Sequence, residues 1–141
     1  MAADERCRSR RVDGAVKVLT DTHTLVWALS DPAALGTGAR TALAGSPFTA
    51  SVANFWELVL KSHKPGALVA DPLPWWEKFV IGPRIPTLAI RTAHIRRLAG
   101  LPEFHKDPFD RILVAQALAE RLTLATKDAL LARYGQPVVW D

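Results

Sequence analysis

The chain of 141 residues has a single cysteine, Cys7, which excludes an intrachain disulfide and a cluster of thiolate metal ligands. It has no apolar run near the roughly 20 residues of a membrane-spanning helix, because charges and prolines interrupt every hydrophobic stretch. No membrane partner is therefore expected. Residues Met1 to Arg11 are polar and Arg-rich with no apolar centre, so they lack the pattern of a secretory signal, and the cytoplasm is the expected location. A Gly-rich phosphate loop, a Gly-x-Ser-x-Gly elbow and a close pair of histidines at zinc spacing are also missing. Strong charge of one sign is absent too. Of the net charge of +4, four arginines against Asp4 and Glu5 place +2 in the first eleven residues. The mildly basic remainder suits phosphate binding and ordinary solubility equally, so charge alone names no partner.

What the chain does have is 49% apolar residues and 23% charged ones, enough for one domain with a buried core. Val16 to Asp21 is β-branched and apolar, as a buried strand should be, and it runs into a helical pattern from Thr24 to Leu29. Ser30-Asp31-Pro32 breaks that pattern, and residues 36–44 read as a second helix before the turn Gly45-Ser46-Pro47. Phe48 to Val52 is a candidate second strand, followed by a helix from Ala53 that Pro65-Gly66 stops. Residues 65–86 hold five prolines together with Trp75, Trp76 and Phe79, and read as a loop carrying one short helix. A third strand is expected at Ile85 to Ile90 and a helix from Arg91 to Leu98. Asp107 is placed to cap a long helix with Pro108 at its first position, running to about Arg121. Leu122 to Thr126 reads as a fourth strand and Asp128 to Tyr134 as a closing helix, with Val138-Val139-Trp140 a candidate final strand. This alternation implies an α/β fold of three layers, a short and mainly parallel sheet of four to five strands flanked by helices. Residues 16–141 form the domain, and residues 1–15 are expected to be a flexible basic extension.

Ligands of open parallel sheets sit beyond the carboxyl ends of the strands, and at those ends this sequence carries acids. Asp21 closes the first strand and Asp128 follows the fourth, although helix capping would account for either one alone. Glu57 lies within Phe55-Trp56-Glu57-Leu58-Val59-Leu60, where an unpartnered charge would be costly to bury. It needs a cation or water, or an ion pair with Lys61 one turn on. Asp110 stands in the first turn of a helix that is apolar almost all round, so its carboxylate must emerge at the helix mouth. Asp107 is explained by capping and takes a supporting role. Carboxylates converging without thiolates select a hard cation, Mg2+ or Mn2+, which can neutralise a phosphodiester and activate water. Among the four histidines, read mainly as surface polarity, His105 is the best placed to touch RNA phosphates, with Lys106 beside it. The five tryptophans read as core rather than as stacking platforms.

Four strings in order, Asp21-Thr22-His23-Thr24-Leu25-Val26-Trp27, Asn54-Phe55-Trp56-Glu57-Leu58, His105-Lys106-Asp107-Pro108-Phe109-Asp110-Arg111 and Thr126-Lys127-Asp128, resemble the PIN-domain family. They are most similar to the VapC-type toxins of bacterial toxin-antitoxin pairs, over about residues 16–140. The resemblance implies a Mg2+- or Mn2+-dependent endoribonuclease whose acidic positions are Asp21, Glu57, Asp110 and Asp128, with Thr22 and Thr126 as hydroxyl residues beside the metal. It also implies an RNA substrate, a homodimer and a small cognate antitoxin protein. The alternative is a domain that keeps the fold and binds RNA or protein without cleaving. Two departures from the family's pattern stand out: Thr20 replaces an apolar residue before Asp21, and Asn54 replaces a small residue ahead of Glu57.

Overall fold

The computed structural model describes residues 17–45 and 47–141. The expected basic extension 1–15, Val16 of the first strand and Ser46 of the turn lie outside them. Strand β1 is Val18–Thr20, fully buried, and it passes through Asp21 into α1, Thr22–Ser30. After a 3-10 turn at Pro32–Ala34 come α2, Thr37–Gly45, then β2, Phe48–Ser51, and α3, Val52–Lys61. Helix α4 is Pro72–Trp76 and continues as a π-helical turn over Glu77–Ile81. Strand β3 has only Thr87–Leu88, and α5 spans Thr92–Ala99. The long helix α6 is Pro108–Glu120, and β4, Thr123–Ala125, follows it. The chain closes with a 3-10 helix, Ala129–Tyr134, and β5, Val138–Val139. No helix among the described residues is long and apolar enough to cross a membrane.

The five strands form one sheet in the order β3-β2-β1-β4-β5, and every pairing is parallel. Such a sheet is buried on both faces, which is why β1 and β4 carry apolar or small residues throughout rather than alternating. One core holds Leu19, Ile112, Leu113, Leu122, Leu124 and Leu131, with α6 laid across the sheet. The other holds Leu25, Val26, Ala50, Leu58, Trp76 and Val80, so α1, α3 and α4 pack together there. Phe55 stacks on Trp76 with ring centroids 4.6 Å apart, and this contact ties α3 to α4. The proline-rich segment is thereby docked by its aromatics, as its composition suggested.

Three local expectations are corrected. His94 is fully buried rather than a surface group: its Nδ1 accepts the Arg91 backbone N–H at 3.0 Å and its Nε2 lies 2.9 Å from Glu120 Oε2. Trp56 is not core but 55% exposed, edge-on to Phe109. The closing helix is 3-10 rather than α.

Chain order places β2 on one side of β1 and β4 on the other, so the connections diverge from the β1–β4 pair. In a parallel sheet such a divergence opens a crevice at the carboxyl ends of the two strands. Asp21 and Thr126 are the residues that immediately follow those ends.

Candidate active site

A cleft of about 410 Å3 opens there, lined by Asp21, Glu57, Asp107, Asp110 and Asp128, with Lys61 and Lys127 also in its wall. Four elements deliver the five acids. Asp21 leaves β1, Glu57 projects from the middle of α3, Asp107 and Asp110 stand at the start of α6, and Asp128 follows β4.

Three of these acids cap helices and reach the cleft at once. Asp21 Oδ1 accepts the Thr24 backbone N–H at 2.9 Å, Asp128 Oδ1 that of Leu130 at 3.0 Å, and Asp107 Oδ1 those of Phe109 and Asp110 at 2.8 and 3.2 Å. Capping and site formation are therefore not rival explanations. One carboxylate oxygen is spent on the helix and the second is held for the cleft.

The second oxygens are fixed by a small set of neighbours. Thr126 Oγ1 donates to Asp21 Oδ2 at 2.5 Å and accepts the Asp128 backbone N–H at 3.1 Å, so one hydroxyl couples the two acids. Thr22 Oγ1 donates to Glu57 Oε1 at 2.5 Å and accepts from Asn54 Nδ2 at 3.2 Å. Asn54 also receives the Ser51 backbone N–H at 2.7 Å and donates to Thr20 O at 3.3 Å, which locks the start of α3 to the end of β1. Lys61 Nζ lies 2.7 Å from Glu57 Oε2 and 3.5 Å from Asp107 Oδ2. His105 Nδ1 accepts the Asp107 backbone N–H at 3.1 Å, so Nε2 carries the ring proton. It presents that proton to Asp128 Oδ2 at 2.8 Å and stands 3.5 Å from Asp110 Oδ2.

The crowding is visible in the proton affinities. Burial, then the carboxylates of Asp107, Asp21 and Glu57, push the Asp110 carboxyl up to about 7 against the partial pull of His105. Burial also raises Asp21 above the ordinary carboxylate range, although the Thr126 and Thr24 hydrogen bonds oppose it. Burial pulls the Lys61 ammonium down, yet its bond to Glu57 and the charges of Glu57 and Asp107 hold it above the usual lysine value. Among the described residues, Asp110 has only His105 within ion-pair distance, at 3.5 Å.

The donor set fits a hard divalent cation. Five carboxylates and no thiolate face one cleft, and an oxygen of Asp110 and one of Asp128 lie within 4.8 Å of each other. The oxygens of Asp21, Glu57, Asp107 and Asp128 are oriented by hydroxyls, backbone N–H groups, a lysine and an imidazole, the kind of outer support metal ligands ordinarily have.

All four acids chosen from the sequence line the cleft, with Asp107 beside them and Thr22 and Thr126 bonded to them. Lys106 does not join them: it lines a separate recess of about 330 Å3 with Glu103, His105 and Arg111. Lys61 reaches two of the acids and was visible in the sequence only as a local ion-pair partner of Glu57. Asn54 looked like a mere departure from pattern, yet it is the buried amide that holds Thr22 in place. Its signal lay in the string Ser51-x-x-Asn54, a capping-box spacing that structure fills with both reciprocal bonds.

The sheet order and the acid cleft define a PIN-type α/β domain, and the sequence profile of the PIN domain matches residues 18–137. The chain belongs to the PIN-domain family. It is 30% identical over 129 residues to ribonuclease VapC22 of Mycobacterium tuberculosis, covering 87% of this chain and 98% of that one. In fold it is similar to VapBC of Salmonella typhimurium bound to DNA, with a TM-score of 0.64 at 16% identity over 88% of this chain and 97% of that one. VapBC2 of Rickettsia felis, bound to a promoter DNA fragment, gives 0.62 at 14% identity over 89% and 100%. FitAB bound to the IR36 DNA fragment gives 0.62 at 17% identity over 86% and 93%.

Proposed function

We propose that this protein is a metal-dependent endoribonuclease and the toxin of a toxin-antitoxin pair, with Asp21, Glu57, Asp110 and Asp128 as its catalytic and metal-holding acids. The observation that carries the reading is the convergence of these four acids on one cleft, with oxygens of Asp21, Glu57 and Asp128 held by hydrogen bonds and Asp110 3.5 Å from His105. The relative at 30% identity is a ribonuclease, and the structures similar in fold include a toxin-antitoxin complex from Klebsiella pneumoniae. Mg2+ or Mn2+, once bound, would neutralise the phosphodiester and supply activated water at neutral pH.

The chain's own residues do the positioning. Asp21 and Asp128, coupled through Thr126, would hold the cation together with Asp110. Glu57, steadied by Thr22 and Asn54, closes the set from α3. His105 keeps its proton on Nε2 at the rim of the acids, where it is placed to donate a hydrogen bond to a phosphate oxygen. Lys61 and Lys127 offset part of the negative field that would otherwise repel an RNA strand. The test is cleavage of a broad set of labelled RNAs by the full chain with Mg2+ or Mn2+ against EDTA. Metal-supported cleavage is expected, and inert protein across the set with undiminished RNA binding would favour a non-catalytic module instead.

Asp107 supports the site rather than completing it. Asp107→Asn keeps an oxygen for the N-cap and loses only the long pairing to Lys61, so its cleavage rate should stay within about tenfold of wild type. Asp110→Asn should lose far more in the same assay. Equal losses would make Asp107 a metal ligand.

A further inference from the structure

Beside the acid cleft lies a second recess of about 210 Å3 whose character is different. It shares Thr22, His23, Glu57 and Lys61 with the cleft, so the two spaces are continuous at the first turn of α1 and the middle of α3. Away from that shared wall it is apolar: Leu58 and Val69, both buried, form the floor, and Ala67 and Leu68 the side. The loop that makes this wall turns at Gly66, whose φ of 74° is the left-handed conformation that favours glycine. A Cβ added at Gly66 would meet nothing within 4 Å, so the glycine serves the turn and not packing. Lys61 and Lys64 stand on the rim.

Below the roughly 300–1,000 Å3 of pockets that hold drug-sized ligands, this volume suits one flat, largely apolar group. An apolar floor disfavours a phosphate, whereas a rim of two ammonium groups attracts one. A nucleotide has that division, a π-faced base joined to an anionic backbone, and the recess opens directly onto the place where the scissile phosphate would lie. A partner helix would require a longer row of apolar positions than one recess provides.

We propose that the recess binds one unstacked nucleobase of the RNA, adjacent to the phosphate at the acids, with Lys61 and Lys64 on its backbone. This rests on the ribonuclease reading and deepens it. The base must leave its stack to enter, so the substrate is single-stranded at that position, and the shape of the loop 65–69 sets which base fits.

The test uses Asp21→Asn protein in millimolar Mg2+ and fluorescein-labelled single-stranded decamer RNAs, read by anisotropy, with wild-type cleavage mapped in parallel. An abasic ribose next to the cleaved bond should weaken binding about tenfold, while abasic sites elsewhere should not. Filling the recess with Ala67→Phe should weaken binding of intact RNA about tenfold and leave binding of that abasic RNA unchanged. Pairing the decamer with its complement should weaken binding at least as much as the abasic site does. If intact and abasic RNAs bind alike, the proposal is wrong whatever Ala67→Phe does, so a poorly folded variant does not shelter it. If Ala67→Phe spares RNA binding but abolishes capture of the co-expressed partner protein, the recess is a protein subsite and the proposal is overturned. If wild type cleaves nowhere, the abasic ribose is scanned through every position of the decamer: a single position that weakens binding, with Ala67→Phe removing its effect, sinks the hydrolytic reading and leaves the recess assignment standing, and no such position overturns the recess assignment too.

Discussion

Replacing Asp21 by Asn should reduce metal-supported RNA cleavage by at least about a hundredfold while leaving the fold intact. The substitution changes charge but hardly volume. The Asn oxygen can still accept the Thr24 N–H, because Asn and Asp are near-equal N-caps, so α1 keeps its start. What disappears is the second oxygen, which Thr126 holds toward the cleft at 2.5 Å, and with it one negative charge for a cation. Burial already raises the Asp21 carboxyl, so in EDTA the variant should melt no lower than wild type. Cleavage rate and melting temperature are the two measurements. An Asp21→Asn protein that cuts RNA as wild type does would remove this acid from the mechanism.

The combination of lost activity and kept stability matters because it separates the two roles that one side chain plays. From sequence those roles looked like competitors, since an Asp before a helix is explained by capping alone. Parallel-sheet logic was enough to put Asp21 and Asp128 at the same edge, and the apolar run around Glu57 marked it as in need of a partner. The partner itself depended on the register of α3 against β1. Asn54 lies 34 residues from Thr20, and no local pattern reports their contact. His94 was misjudged for the same reason: Glu120, 26 residues away, makes its burial tolerable. Lys106 was expected to flank the acids with His105, but only His105 faces them. The long helix α6 was the most legible element, because Asp107-Pro108 starts it and an apolar run sustains it. Strand β3 was the least, reduced to two residues between a π-helical turn and α5 where the pattern suggested six.

Replacing Asp110 by Asn should abolish activity too but raise the stability of the metal-free protein. In the unfolded chain the Asp110 carboxyl titrates near 3.8, whereas in the folded protein burial and its acidic neighbours raise it to about 7. Between those values the folded state holds a proton that the unfolded state has lost. The favourable contribution is therefore complete below about pH 3.8 and is lost as pH rises to about 7. Metal-free wild type should accordingly melt lower at pH 8 than at pH 5. Asp110→Asn carries no such proton, so its melting temperature should fall less across that range. At pH 8 in EDTA it should exceed wild type by about 3 °C or more. Millimolar Mg2+ or Mn2+ should reverse the order by stabilising wild type, and do so more strongly at pH 8 than at pH 6, because the cation must displace the proton. The variant should gain little from metal and cleave little. Scanning fluorimetry at the two pH values, with metal and with EDTA, reads all of this in one experiment. If wild type and variant lose stability in parallel as pH rises, the proton is not on Asp110. If metal leaves wild type unmoved at pH 8, the acids do not form a cation site. A carboxylate whose removal makes the metal-free protein more stable contributes nothing to holding this fold together, which leaves the chemistry of the cleft as the reason it stands there.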